Sequence, residues 1–282
     1  MKLSTTRMEF ARPAATIFRS RHKLLGTLVL VLLFVAPLAQ TQQIPARQTS
    51  LSEEQVVHNL VTMNLLRQNA LKAYEGTRTY RVDYRGFPGS RNAEMIVDVK
   101  YQAPGTKEFT VRSSTGSKLI IDRVFKKLLE AEQEALKADA QTHTALNTDN
   151  YNFTLIGSED TPAGPVYVLT VEPRTKDKFL YRGKIWVDAK DFAVVRLKAE
   201  PARNPSFWTK KSEIEQEYSK VNDFWLPALN RSVSSIRLGG RAELTIEYKS
   251  YQITDSRPLA SQSTAGAKSS SETSLLRTGD HR

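Results

Sequence analysis

The sequence predicts an α+β protein built on one large, strongly curved antiparallel sheet or a barrel, with two main helices. Three observations predict it. Roughly ten runs between Thr77 and Tyr251 alternate apolar with polar residues. Turn signals such as Pro104-Gly105, Asn222-Asp223 and Gly239-Gly240 separate these runs. Spacing of three and four dominates in two places alone. Alternation this clean describes antiparallel strands with one face buried and the other in water.

Residues 1–39 read as an export signal. Arg19, Arg21 and Lys23 precede the apolar run Leu24 to Ala36, and small residues follow to Ala39. The run is short for a membrane span, which needs about 20 residues. Pro37 stands at the third position before a cut after Ala39, so an uncleaved N-terminal anchor stays open beside cleavage. Residues 40–49 form a polar linker and 50–254 the folded domain. Residues 255–282, rich in serine and poor in large apolar side chains, are expected to be a disordered tail.

Within the domain, Ser52 opens a helix, with Gln55 three residues on as in a capping box. Val56, Leu60, Met63 and Leu71 make its apolar stripe, widened by Val57 and Val61, and Gly76 is a plausible stop. Strands follow. Tyr80, Val82 and Tyr84 share one side of the first; Met95, Val97, Val99 and Tyr101 share one side of the next. After Pro104-Gly105 come a run with Phe109 and Val111 and a short one with Leu119 and Ile121. Asp122 to Ala140 switches to helical spacing through Val124, Phe125, Leu128, Leu129, Ala135 and Leu136.

From Tyr151 onward the chain returns to strands. Tyr167, Leu169 and Val171 align, then Ile185 and Val187. Beyond the polar break 188–191, Ala193, Val195, Leu197 and Ala199 align in turn. Asp188 and Asp191 look like a carboxylate pair, but between two strands they read as turn chemistry. Phe207 and Trp208 lie in a Pro-bracketed loop; they either pin that loop to the sheet edge or rim a cavity mouth near a membrane surface. Trp225 and Pro227 read as the start of an edge strand, because Pro cannot donate to a ladder. Gly239-Gly240 then turns the chain into Ala242, Leu244, Ile246 and Tyr248.

The chemistry excludes more than it assigns. There is no cysteine, hence no disulfide, thiolate metal site, thiol nucleophile or lipid-attachment cysteine. His22, His58, His143 and His281 show no metal-ligand spacing, and no nucleotide-binding or hydrolase motif occurs. No enzymatic activity and no cofactor are expected. The net charge is +11; residues 1–39 hold six basic residues and one acidic, so +6 belongs to the remainder. That modest, scattered excess argues against nucleic acid and for weak attraction to anionic lipid head groups.

What remains is the shared apolar face. A curved sheet with two helices leaves a groove between them, large enough in principle for an acyl chain. At about 0.8 kcal/mol per methylene, a sixteen-carbon chain gains roughly 12 kcal/mol gross. The expected lining is Tyr80, Val82, Tyr84, Met95, Val97, Val99, Tyr101, Phe109, Val111, Ile185, Val187, Val195 and Leu197. The same residues also suit a closed core, and periodicity leaves both readings open.

The segments "MIVDVKYQAPGTKEF", "YVLTVEP", "GKIWVDAKDFAVVRLKA", "EYSKVNDFWLPALN" and "LTIEYKSYQI" together resemble the LolA-like superfamily over residues 50–254. It includes periplasmic outer-membrane lipoprotein-sorting proteins, and the RseB/MucB envelope-stress regulators share its fold. The resemblance implies an incomplete β-barrel lidded by amphipathic helices, in the periplasm. It implies a monomer binding a lipid or lipoprotein acyl chain, with membrane-bound donor or acceptor proteins as further partners. The alternative it carries is a non-enzymatic sensor or protein-interaction module. The carrier proteins have Arg directly before the Pro of the second-strand turn; here that residue is Ala103, so the lid-locking arginine does not carry over.

Overall fold

The first helix, α1 (Glu53–Ala70), starts where the sequence supplies a complete cap. The Ser52 hydroxyl accepts the Gln55 N–H at 3.3 Å, and the Gln55 side chain accepts the Ser52 N–H at 2.9 Å. α1 ends at Ala70, short of Gly76, because Leu71 is already extended and opens the first strand. The structure is a computed structural model that describes residues 51–204, 209–237 and 239–258. The expected export signal, the linker, the tail beyond 258, and Phe207 and Trp208 lie outside the described residues.

Ten strands follow. They are β1 (Leu71–Arg85), β2 (Arg91–Gln102), β3 (Thr106–Gly116), β4 (Tyr151–Thr161) and β5 (Gly164–Pro173). Next come β6 (Tyr181–Asp188), β7 (Val194–Pro201), β8 (Thr209–Val221), β9 (Phe224–Ile236) and β10 (Arg241–Ser256). Between β3 and β4 the chain is helical. The run 118–122, expected as a strand, forms α2 (Lys118–Ile120) and the start of a π-helical turn (Ile121–Phe125) that continues into α3 (Lys126–Ala135). The three-and-four spacing of Ile120, Val124, Phe125, Leu128 and Leu129 overrides the brief alternation at its start, and all five pack on the sheet. A break at Leu136–Lys137 precedes α4 (Ala138–Thr144).

All ten strands pair in one antiparallel sheet of order β3-β2-β1-β10-β9-β8-β7-β6-β5-β4. β3 and β4 are its edges, and they do not pair with each other. The expected barrel, even an incomplete one, is therefore wrong: the sheet is open and not strongly curled. The reason lies in how its apolar face is covered. A barrel buries its inner residues against one another around one interior. Here the buried residues fall into separate clusters, each with its own cover, and helices packed on the sheet occupy the space into which it would have to curl.

α1 covers one end of the sheet. Val56, Val57 and Leu60 pack with Tyr151 of β4, Leu169 and Val171 of β5, Ile185 and Val187 of β6 and Leu197 of β7. The segment 118–135 covers the other end, with Ile120 and Phe125 set on Tyr80, Val82, Met95, Val97, Val99 and Ile246. A small third cluster joins Ala70 to Phe224 and Leu226. Trp225 and Pro227 lie on β9, interior in the strand order, but β10 pairs with β9 only over 229–235, so at these two residues β9 is paired on the β8 side alone. Pro227 is accommodated in this singly paired stretch, beside the β8–β9 register shift, where no β10 residue is in register with it.

Buried Arg67 fastens α1 down. Its guanidinium donates to the Asp191 carbonyl at 2.7 Å, the Phe192 carbonyl at 2.8 Å and the Asn64 side chain at 2.9 Å. Burial lowers its pKa, and Asp191 and Asp188 partly offset that. The β6–β7 turn is in this way held against the helix rather than left to its own hydrogen bonds. Replacing Arg67 with Leu strands two turn carbonyls and is expected to cost about 2–4 kcal/mol, measured by urea unfolding, with earlier protease cutting at the β6–β7 turn.

Candidate functional site

The helix-bearing face of the sheet is where the sequence places a groove. Of the thirteen expected lining residues, five sit in the core under the segment 118–135: Tyr80, Val82, Met95, Val97 and Val99, with Phe109 at its margin. Three others, Ile185, Val187 and Leu197, sit in the core under α1. Val97 and Ile185 are both 0% exposed. The structure does not bring the two groups together, and each is filled by helix side chains.

The other four have different surroundings. The Tyr84 hydroxyl donates to the Phe87 carbonyl at 2.7 Å, and Tyr101 stacks on Tyr74 at 5.1 Å. Val111 is 50% exposed on edge strand β3. Val195 is displaced by a bulge: Val187 pairs with Val194, which sends Val194 to the α1 core in its place.

Between the two cores the same face turns polar. Ile246, Asn230 and Gln216 pair in sequence across β10, β9 and β8; Leu244, Ser232 and Ile214 form the next row and Ala242, Ser234 and Ser212 the next. The Asn230 amide donates to Gln216 at 2.8 Å, and the Ser212 and Ser234 hydroxyls share a hydrogen bond of 2.7 Å. Sequence reasoning missed this seam, although its signal was present. In 230–235 of β9 neither alternating set is fully apolar: Asn230, Ser232 and Ser234 face one way, Arg231, Val233 and Ser235 the other.

The cover over Tyr80 is clasped by ions. Arg78, on the buried face of β1, donates to Glu132 of α3 at 2.6 and 3.1 Å, and Lys107 of β3 reaches the same carboxylate at 2.6 Å. The guanidinium also lies over the Tyr248 ring at 4.9 Å. Burial alone would raise the Glu132 carboxyl, but Lys107 and Arg78 outweigh it and hold it at about 2. Burial pulls Arg78 down while Glu132 pushes it up, and the net direction is up.

Asp188 does the turn work expected of the pair, while the Asp191 carboxylate ties the turn to β8 and β9. The Asp188 carboxylate accepts the N–H groups of Lys190 and Asp191 at 3.0 and 2.6 Å. Asp191 accepts from Lys220 at 2.5 Å and from the Trp225 indole at 2.9 Å. A surface cleft of about 410 Å³ lies between α1 and β4, lined by Glu53, Val57, His58, Val61, Tyr151 and Phe153 among others, none of them in the expected lining. Among the described residues, no group of three or more Asp, Glu or His side chains is placed to hold a metal ion. Nor is any helix among them long and apolar enough to cross a membrane.

No family model matches the chain, and no curated protein does. Solved structures align with it at low identity. A DUF1329 family protein from Desulfovibrio piger is 11% identical, covering 71% of this chain and 92% of its own at a TM-score of 0.36. A putative outer membrane lipoprotein-sorting protein domain from Vibrio parahaemolyticus is 10% identical, over 76% and 99%, at 0.35. A LolA superfamily protein from Nitrosomonas europaea is 8% identical, over 74% and 96%, at 0.33. The superfamily that the sequence resembles is named among them. Likeness at this level transfers no function, which has to be argued from the geometry.

The Glu132 clasp makes a pH prediction. A carboxyl held at about 2 in the folded chain, against an ordinary 4.5, stabilises fully above pH 4.5 and loses that contribution as pH falls towards 2. The contribution is of order 2–3 kcal/mol. Urea midpoints followed from pH 6 down to about 2 should show this acid-labile component in the wild type and a reduced one in Glu132→Gln.

Proposed function

We propose that this chain is a non-enzymatic, exported protein of the cell envelope that works through contact with another protein. The observation that carries the reading is the state of the expected acyl-chain lining. Val97, Val99, Ile185 and Val187 are packed beneath helix side chains, and the cleft between α1 and β4 does not reach them. Location outside the cytoplasm, in the periplasm, is part of the proposal and rests on the basic, apolar and small-residue pattern of 1–39.

The two edges differ in a way that points to where a partner adds. On β4, the Leu155 N–H is taken by the Glu53 carboxylate at 2.7 Å, which blocks that edge. β3 is exposed along most of its eleven residues, and an edge of that length can accept an extended segment of a partner. A photo-crosslinking side chain at Ser113 of β3 should therefore capture a protein in cells, and one at Thr154 of β4 should not. Equal capture at both sites, or at neither, contradicts the reading. Native mass spectrometry of the protein isolated from its envelope should give the polypeptide without a lipid adduct; a lipid on most molecules contradicts it as well.

A second reading, a lipid or acyl chain held against the sheet, has one observation in its favour. The cover over Tyr80, Val82, Met95, Val97, Val99 and Phe109 is a separate helical segment, bounded by Ser117 and the break at Leu136–Lys137, and clasped through Glu132. Were it to swing away, those side chains would form one apolar strip. On that reading Glu132→Ala gains a lipid adduct; on the first it only loses stability.

A further inference from the structure

The β1–β2 and β9–β10 turns lie side by side at one end of the sheet, and they present the most exposed large apolar side chain among the described residues. Phe87, in the turn "GFPG", is 79% exposed. It is held there firmly. The Tyr84 hydroxyl donates to the Phe87 carbonyl at 2.7 Å and approaches the Gly239 carbonyl of the neighbouring turn at 3.3 Å. Inside the turns, the Gly89 N–H donates to Gly86 at 2.7 Å and the Ile236 N–H to Gly240 at 3.0 Å. The two turns touch because neither carries a side chain at the contact: a Cβ on Gly86 would stand 2.6 Å from the Gly240 Cα.

The charge around Phe87 has one sign. The segments 84–92, 116–119, 236–237 and 239–242 meet at this end through the pairs Tyr84–Arg91, Ala93–Gly116 and Arg85–Arg241. Between them they hold Arg85, Arg91, Lys118, Arg237 and Arg241 and no acidic residue. Arg85, Arg91, Lys118 and Arg241 are exposed. The carboxylates of Asp83 and Glu243 sit two register pairs in from Arg85 and Arg241, and Glu243 lies 4.0 Å from Arg241. Leu119, 56% exposed, follows Lys118 on the same end.

We infer that this end is a membrane-docking tip: Phe87 enters the interfacial layer of a bilayer, and the arginines around it bind anionic lipid head groups. A protein partner is the less fitting occupant. An aromatic anchor at a protein interface fills a pocket and is ringed by neighbours that exclude water. Phe87 instead stands on an exposed turn with cations beside it, the arrangement suited to a surface that is apolar beneath and negatively charged above. The β3 edge assigned to a protein partner runs into this tip at Gly116, and labels at Ser113 and at Ser90 test the two contacts apart.

The chain has no cysteine, so Ser90→Cys places one environment-sensitive fluorophore beside Phe87 in the full-length protein. A label at Ser219→Cys, on exposed β8 near the opposite end of the sheet, serves as the control. With vesicles of phosphatidylcholine containing about 30% phosphatidylglycerol, the label at 90 is expected to move to the blue while the label at 219 does not. Phe87→Ser should weaken the response about tenfold, and loss of Arg85 or Arg91 about fivefold each, with unchanged urea unfolding. Pure phosphatidylcholine should give no response. A label at 90 that stays in water on anionic vesicles overturns the inference. So does a response that survives Phe87→Ser or is equal on both lipids, which would place the binding elsewhere in the chain. A label at 90 buried by lipid-free envelope protein but not by vesicles would assign the tip to a protein and overturn it too.

Discussion

The width of the sheet is the constraint from which the rest follows. Ten strands at about 4.8 Å span roughly 43 Å, while a helix with its side chains is about 10–12 Å across. Two helical ridges therefore cover about half of one face. Whatever they leave uncovered must be polar or must find another cover. The chain takes the first course. α1 and the segment 118–135 sit over the two ends, and the strip between them is built from Gln216, Asn230, Ser212, Ser232 and Ser234, of which Ser212 and Gln216 are themselves buried and hydrogen-bonded to Ser234 and Asn230.

That division explains why both covers are clasped by charge as well as by apolar contact. Each helix packs on a patch of sheet with polar surface on its inner side, so apolar burial by itself fixes the position loosely. Arg67 ties α1 to the backbone of the β6–β7 turn, and Arg78 with Lys107 ties α3 to the sheet through Glu132. Both arginines are buried, and removing either partner leaves polar atoms without water. The pairing within the sheet is uneven: β7 and β8 are in register only over 196–199 against 214–217.

Much of this was legible in the sequence. The alternation located the strands, Ser52 and Gln55 marked the start of α1, and the Asp188–Asp191 turn was read for what it is. The curvature was not legible, because alternation reports which side chains share a face and says nothing of whether that face is flat or rolled. The polar strip could have been seen in Asn230, Ser232 and Ser234, but it needs the register of β9 against β8 to become a strip. Val195 was misassigned for a related reason: one bulged residue reverses the parity of a strand, and bulges leave no mark on composition. The burial of Val97 and Ile185 was foreseen; that separate helices cover them was not. Long-range ties such as Arg67 to Asp191 and Arg78 to Glu132 join residues 124 and 54 positions apart, beyond the reach of any local pattern.

An open sheet with two filled ends and a polar middle favours a surface that others bind over a container for a small molecule. Its cysteine-free sequence allows the arrangement itself to be checked by the reactivity of single introduced thiols. The decisive comparison is Ser232→Cys in the middle strip against Val97→Cys and Ile185→Cys under the two helices, each treated with a maleimide in the native state. The account predicts that the thiol at 232 reacts in the folded protein while those at 97 and 185 react only after unfolding. Fast native labelling at 97 or 185, or protection at 232 as deep as theirs, would contradict it.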